Sequence, residues 1–158
     1  MEIFTNFPLW AALIAIVIAQ FIKVPIKLIV ARELSVRIAF STGGMPSSHS
    51  AAVTALITAI GIVEGVTSSL FAIACVFGVI TMYDASGIRR HAGVHAAVLN
   101  QLMKDLQTIF EEAKEWNKKD DEKKREDLKE LLGHEPIEVF FGALTGIIVA
   151  FLVHPLFL

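Results

Sequence analysis

The sequence predicts an all-α integral membrane protein: a helical bundle of about four transmembrane helices with a charged helical hairpin on one membrane face. Three observations lead there. Hydrophobic residues make up 54% of the 158-residue chain and charged residues 19%. The mean hydropathy is +0.62, a balance too apolar for an ordinary soluble domain. The apolar residues also come in long blocks, and the charges collect in the connections between them. A chain of this length makes one domain, and its one cysteine, Cys75, excludes an internal disulfide framework. A net charge of −2 gives no reason to expect nucleic acid as a partner.

The four spans are expected at about 7–24, 48–64, 68–84 and 136–157. The first block lacks a basic segment before it, and Ala19-Gln20-Phe21 is a poor cleavage site. It therefore reads as a retained span rather than a signal peptide. Helix can continue past Lys23 and Lys27, with Pro25 as a kink. The second and third blocks are short against the ~20 residues a bilayer needs. Each gains a turn from its polar flank, and the short link between them suggests a tight helical hairpin. In the fourth, Gly142 and Gly146 have the spacing of a close helix contact. The insertion at about 91–132 begins with an amphipathic helix, apolar at Val94, Val98, Leu102, Leu106 and Ile109. Glu111 to Glu130 then holds nine acidic and seven basic residues, the pattern of a solvated helix laced with i,i+4 pairs.

Positive charge sets the orientation. Lys23, Lys27, Arg32 and Arg37 lie between spans one and two, and the other ten Lys and Arg lie between spans three and four. With four spans, both connections face one side. The positive-inside rule puts them in the cytoplasm and both termini outside, in the cell membrane.

Three clusters at the ends of those connections carry chemistry. In Gly43-Gly44-Met45-Pro46-Ser47-Ser48-His49-Ser50, glycines allow a tight turn and two serines take cap and first-turn positions. A helix N-terminus with hydroxyls is a phosphate cradle, and His49 can move a proton there. The plainer alternative is a capped helix with a histidine at the headgroup level. In Leu132-Gly133-His134-Glu135-Pro136-Ile137-Glu138, His134 and Glu138 are four apart. A carboxylate on one imidazole nitrogen fixes the tautomer and makes the other nitrogen a nucleophile or base. Equally, Glu138 can simply serve the helix dipole. After span three come Asp84, Arg89, Arg90, His91 and His95. The paired arginines suit a phosphate or anchor the membrane surface. Asp84 can pair with one of them. His91 and His95 have ligand spacing but no clear third ligand, so no metal is expected. Together the clusters suit phosphoryl transfer through a phospho-histidine, with charge held by cations and helix N-termini.

Pro46-Ser47-Ser48-His49 resembles the Pro-Ser-Gly-His motif of the type-2 phosphatidic acid phosphatases, relatives of the vanadium-dependent haloperoxidases. His134 with Glu138 resembles the His and Asp, four apart, that close the superfamily's last motif. The fuller pattern is similar to its divergent bacterial and plant branch: Gly-Gly-Met-Pro-Ser-Ser-His-Ser-Ala at 43–51, Tyr-Asp-Ala at 83–85, Arg-Arg at 89–90, Leu-Asn at 99–100 and Leu-Gly-His-Glu-Pro-Ile-Glu-Val at 132–139. The resemblance implies a membrane-bound phosphatase without metal or other cofactor. His134 would be the nucleophile, Glu138 its orienting carboxylate and His49 the acid for the leaving oxygen. Ser47 and Ser48 would hold phosphate oxygens, with Lys23, Arg32, Arg89 and Arg90 completing the cradle. There are departures. The first motif should carry an Arg seven after its Lys, whereas Val30 follows Lys23 at that offset. The third should carry an Arg six before the His, where Leu128 stands. Ser48 replaces a Gly and Glu138 an Asp.

The expected function is hydrolysis of a lipid phosphate or isoprenoid diphosphate at the cytoplasmic face. The alternatives are a catalytically inactive lipid-phosphate-binding scaffold and a transporter of a phosphorylated lipid. Expected partners are membrane lipids and a lipid-phosphate substrate, with a homodimer compatible with so small a bundle.

Overall fold

The computed structural model describes residues 2–32, 43–114 and 133–158. Arg37 and most of the charged 111–130 segment lie outside them, so the second arm of the expected hairpin does too. The described residues form helices and no strand: a 3-10 turn Glu2–Thr5, α1 Phe7–Ala31, α2 Ser48–Val63, α3 Ser69–Ser86, α4 Ile88–Lys114, α5 Pro136–Val153 and a 3-10 turn His154–Phe157. Polar residues set the starts. The Asn6 side chain accepts from Leu9 N, Ser47 from Ser50 N and Ser68 from Phe71 N, each satisfying one orphan first-turn N–H. Pro25 sits inside α1 without ending it. Pro46 precedes the α2 cap rather than entering the first turn, and its peptide bond is cis.

Three stretches are long and apolar enough to cross a membrane: Phe7–Ile29, the α3–α4 run Ser69–Gln107, and Pro136–Phe157. The protein is thus an all-α membrane bundle. α2 has 16 residues, about 24 Å at 1.5 Å per residue, shorter than the other three. It is the central helix, packed against α1, α3 and α5. Neighbouring helices cover most of it, so its polar first turn need not face lipid.

The core is built from small residues in i,i+4 rows. On α1 the buried row is Phe7, Ala11, Ala15, Ala19 and Lys23; on α2 it is Ser47, Ala51, Ala55 and Ala59; on α5 it includes Gly142, Gly146 and Ala150. Small side chains let backbones approach, which is how helices associate without a solvent-driven hydrophobic force. A Cβ on Gly142 would overlap the Ser47 carbonyl, and one on Gly146 the Ala51 carbonyl and Thr54 Oγ1. Thr54 Oγ1 lies 2.7 Å from Ser50 O on its own helix and 2.9 Å from Ala143 O on α5. Large residues such as Ile73, Phe77, Phe140, Phe151 and Leu152 point outward, as lipid-facing residues do. Phe7 packs on His154 and Phe157, so the two chain ends meet at one end of the bundle. α4 packs chiefly on α3. It buries Gly93, Ala96 and Asn100 and leaves Val94, Val98 and Leu102 exposed.

Candidate active site

At the other end of the bundle, the rows of small residues on α1, α2 and α5 each lead to a polar residue: Lys23, Ser47 and Glu138. Ser47 N donates to Glu138 O at 2.9 Å, so the first turns of α2 and α5 lie side by side. Two helix N-termini therefore point their partial positive charge into one region.

His134 immediately precedes α5 and is 1% exposed. Its Nδ1 is 3.0 Å from Glu138 Oε2, across Pro136. That carboxylate oxygen also accepts from Glu135 N at 3.1 Å, so a capping interaction holds it where the imidazole needs it. An acceptor-only carboxylate assigns the ring proton to Nδ1 and the lone pair to Nε2. Nε2 is buried and has no hydrogen-bond partner. The backbone is fixed as well. His134 N donates to Ala85 O at 2.8 Å. Gly133 sits at φ +89 with its Cα against the Arg89–Arg90 backbone, where a Cβ would overlap Arg90 N. Only glycine meets both demands without strain.

His49 lies in the first turn of α2, its ring centroid 6.0 Å from that of His134, edge to face. Its Nε2 is 3.3 Å from Arg89 Nη1, and its Nδ1 is buried and without a partner. Arg89 Nε donates to Asp84 Oδ2 at 2.6 Å. Lys23 is 1% exposed and donates from Nζ to Gly43 O at 3.0 Å, within electrostatic range of both Glu138 and His49. Ser47 and Ser48 are buried at the cap and first position of α2. Arg90 stands at the rim, 3.6 Å from Glu135 in an exposed pair, a contact worth little by itself.

Seven of the nine sequence-predicted residues thus converge: His134, His49, Glu138, Lys23, Ser47, Ser48 and Arg89, with Arg90 on the rim. Arg32 is placed differently. It is the exposed left-handed cap of α1, nine residues after Lys23. Nine residues turn a helix about 900°, leaving it half a turn round and about 13 Å further along. Three polar groups passed unnoticed in the sequence: Ser50 Oγ and Gln20 Oε1, both buried without a hydrogen-bond partner, and Thr54 between α2 and α5. The row Ala11–Ala15–Ala19, running into Lys23, is the signal that would have marked which face of α1 is internal.

A buried imidazole with one nitrogen anchored and the other unpartnered, among cations and helix N-termini, can bind and attack a phosphoryl group. Such a site at one end of an apolar helical bundle defines a membrane protein of the PAP2-like kind. The divergent PAP2 family matches residues 4–149, and the chain belongs to it. Over 149 residues, 94% of each chain, it is 57% identical to a protein of Bacillus subtilis (strain 168) named uncharacterized membrane protein YuiD. No solved structure matches it.

Proposed function

We propose that this PAP2-like membrane protein is a phosphatase that hydrolyses a lipid phosphate or isoprenoid diphosphate through a phospho-histidine, at the cytoplasmic face. The observation that carries the reading is His134 Nε2: buried, unpartnered, and given its lone pair by the Glu138 carboxylate on Nδ1. A buried polar atom left without a partner costs stability, about 1–3 kcal/mol, so its presence calls for a use.

In the first half-reaction Nε2 attacks phosphorus while the bond from phosphorus to the leaving oxygen breaks. His49, as imidazolium, gives its proton to that oxygen. Glu138 stabilises the positive charge that develops on the His134 ring. In the second half-reaction water attacks phosphorus, the N–P bond breaks, and neutral His49 takes a proton from the water. Lys23, Arg89, the Ser47 and Ser48 hydroxyls and the α2 N-terminus hold the phosphoryl oxygens, whose charge is the main thing to stabilise. The wide outer faces of the helices leave the substrate's apolar tail in the bilayer.

The test is phosphate release by purified protein from phosphatidic acid, phosphatidylglycerol phosphate, farnesyl diphosphate and undecaprenyl diphosphate, with EDTA present. Release that disappears in His134→Ala supports the reading and ranks the substrates. Tight binding of these lipids with no release from any of them would replace it with a binding scaffold.

A further inference from the structure

To protonate a leaving oxygen, the His49 ring must first carry two protons. The contact that Arg89 makes with the ring opposes that. A guanidinium has five N–H donors and no acceptor, and Arg89 Nη1 stands 3.3 Å from His49 Nε2. A proton on Nε2 would set donor against donor, so the contact requires Nε2 to be bare. The neutral ring then carries its proton on Nδ1, which is buried with nothing to accept it. Arg89 is itself held at one point. Its Nε donates to Asp84 Oδ2 at 2.6 Å, where α3 gives way to α4, and its side chain is 46% exposed. That leaves the Nη edge able to turn.

We propose that Arg89, hinged on Asp84, is a proton-loading switch: in its contact with Nε2 it holds His49 neutral, and an arriving phosphoryl group draws it off Nε2. The proposal rests on the phosphatase reading and adds to it the order of events. A phosphoryl dianion offers paired oxygens that match the guanidinium edge and accept far more strongly than a neutral imidazole. Once Nε2 is bare of Arg89, it takes up a proton from the buffered solvent, whose acid component is left as its conjugate base in the bulk. The negative phosphoryl group beside the ring favours the imidazolium. The charged and titratable groups facing His49 are Arg89 and Asp84 from the α3–α4 junction, His134 from the segment before α5 and Lys23 from α1. Among the described residues, Arg89 is the group that contacts a His49 ring nitrogen. Asp84 touches no reacting atom and is a positioning residue.

The experiment is nitrogen NMR of the full-length protein in lipid nanodiscs, with 15N-histidine and inorganic phosphate as the probe. His49→Asn assigns the His49 signals. Without phosphate, wild-type His49 is expected as the neutral ring protonated at Nδ1 only. At saturating phosphate and the same pH, the bare Nε2 signal is expected to vanish as both nitrogens become protonated. In Arg89→Met the phosphate-free ring is expected to populate both tautomers, and the phosphate response to shrink. Asp84→Asn should do the same more weakly, with Asp84→Glu closer to wild type. Doubly protonated His49 in the phosphate-free wild type would overturn the switch. So would a His49 that is the same with and without phosphate, a result that needs no variant to fold. Switching of His49 without hydrolysis of any lipid would sink the phosphatase reading alone. Hydrolysis with His49 unmoved would sink the switch alone.

Discussion

A single side chain, Glu138, does two jobs with one oxygen. It accepts from the His134 ring and from the Glu135 backbone, so the charge that fixes the tautomer is held in place by the helix start. Glu138→Gln keeps the size but not the charge, and an amide can present its NH2 group to the ring. By analogy with other anchored imidazoles, activity is expected to fall about 10^2-fold or more, with little change in KM. His134→Ala removes the proposed nucleophile, and a fall of about 10^3-fold or more is expected in kcat. Lys23→Met tests a different contribution. It preserves the buried stem and removes a charge aimed at the site. KM is expected to rise roughly 10- to 100-fold, as for losing a charge-assisted hydrogen bond of about 1.5–3 kcal/mol. Steady-state phosphate release from the three variants separates these effects, and equal loss of kcat in Lys23→Met would count against its binding role. The His134–Glu138 contact was legible in the sequence because a step of four residues across a capped helix start fixes the geometry locally. The Arg89–His49 contact was not. Those residues are 40 positions apart, and no local rule brings them together.

At the scale of the helix, the site exists because α2 and α5 lie unusually close. Gly142 and Gly146 are the cause: each faces a carbonyl of α2 across a gap that a Cβ would fill. The same approach lets Ser47 N reach Glu138 O, which aligns the cap of one helix with the Glu138 carboxylate of the other. Gly142→Leu or Gly146→Leu must push the helices apart. Overpacking of this kind costs about 1–3 kcal/mol, and activity is expected to fall with stability because the same gap sets the site. Leu152→Ala, on the outward face of α5 and 71% exposed, is the matched control and is expected to change stability by no more than about 0.5 kcal/mol. Denaturation in mixed micelles, read beside phosphate release, checks both. The glycine spacing was readable, but the alanine rows on α1 and α2 hid in blocks where almost every residue is apolar. In water, a buried face announces itself by contrast with polar residues on the other side. In lipid both faces are apolar, and size rather than polarity separates them. That is why the helices could be placed from the sequence and their inward faces mostly could not.

The whole molecule has two unlike ends. At one, Phe7 meets His154 and Phe157. At the other, sixteen residues and about 24 Å along α1, lies Lys23 with the two histidines. In sequence, all 14 Lys and Arg lie at Lys23 or after it in the stretches that separate the first expected span from the second and the third from the fourth. The positive-inside rule counts such residues near span ends and ignores the acidic ones, so the site end is expected in the cytoplasm. A phosphatase built this way would draw its substrate from the inner leaflet and release phosphate inside the cell. Single cysteines can read this in a Cys75→Ser background, a small change at a half-buried packing position. Ile3→Cys and Leu158→Cys mark the first end, and His91→Cys, exposed at the start of α4, marks the second. A membrane-impermeant maleimide added to intact cells is expected to label the first two and to reach His91→Cys only after permeabilisation. The reverse pattern would keep the bundle and move the chemistry to the outer leaflet, where only externally supplied lipid phosphates could be substrates. Labelling of all three from one side would contradict the bundle itself, because the packing of Phe7 on His154 and Phe157 leaves no arrangement in which the chain ends and the site share a membrane face.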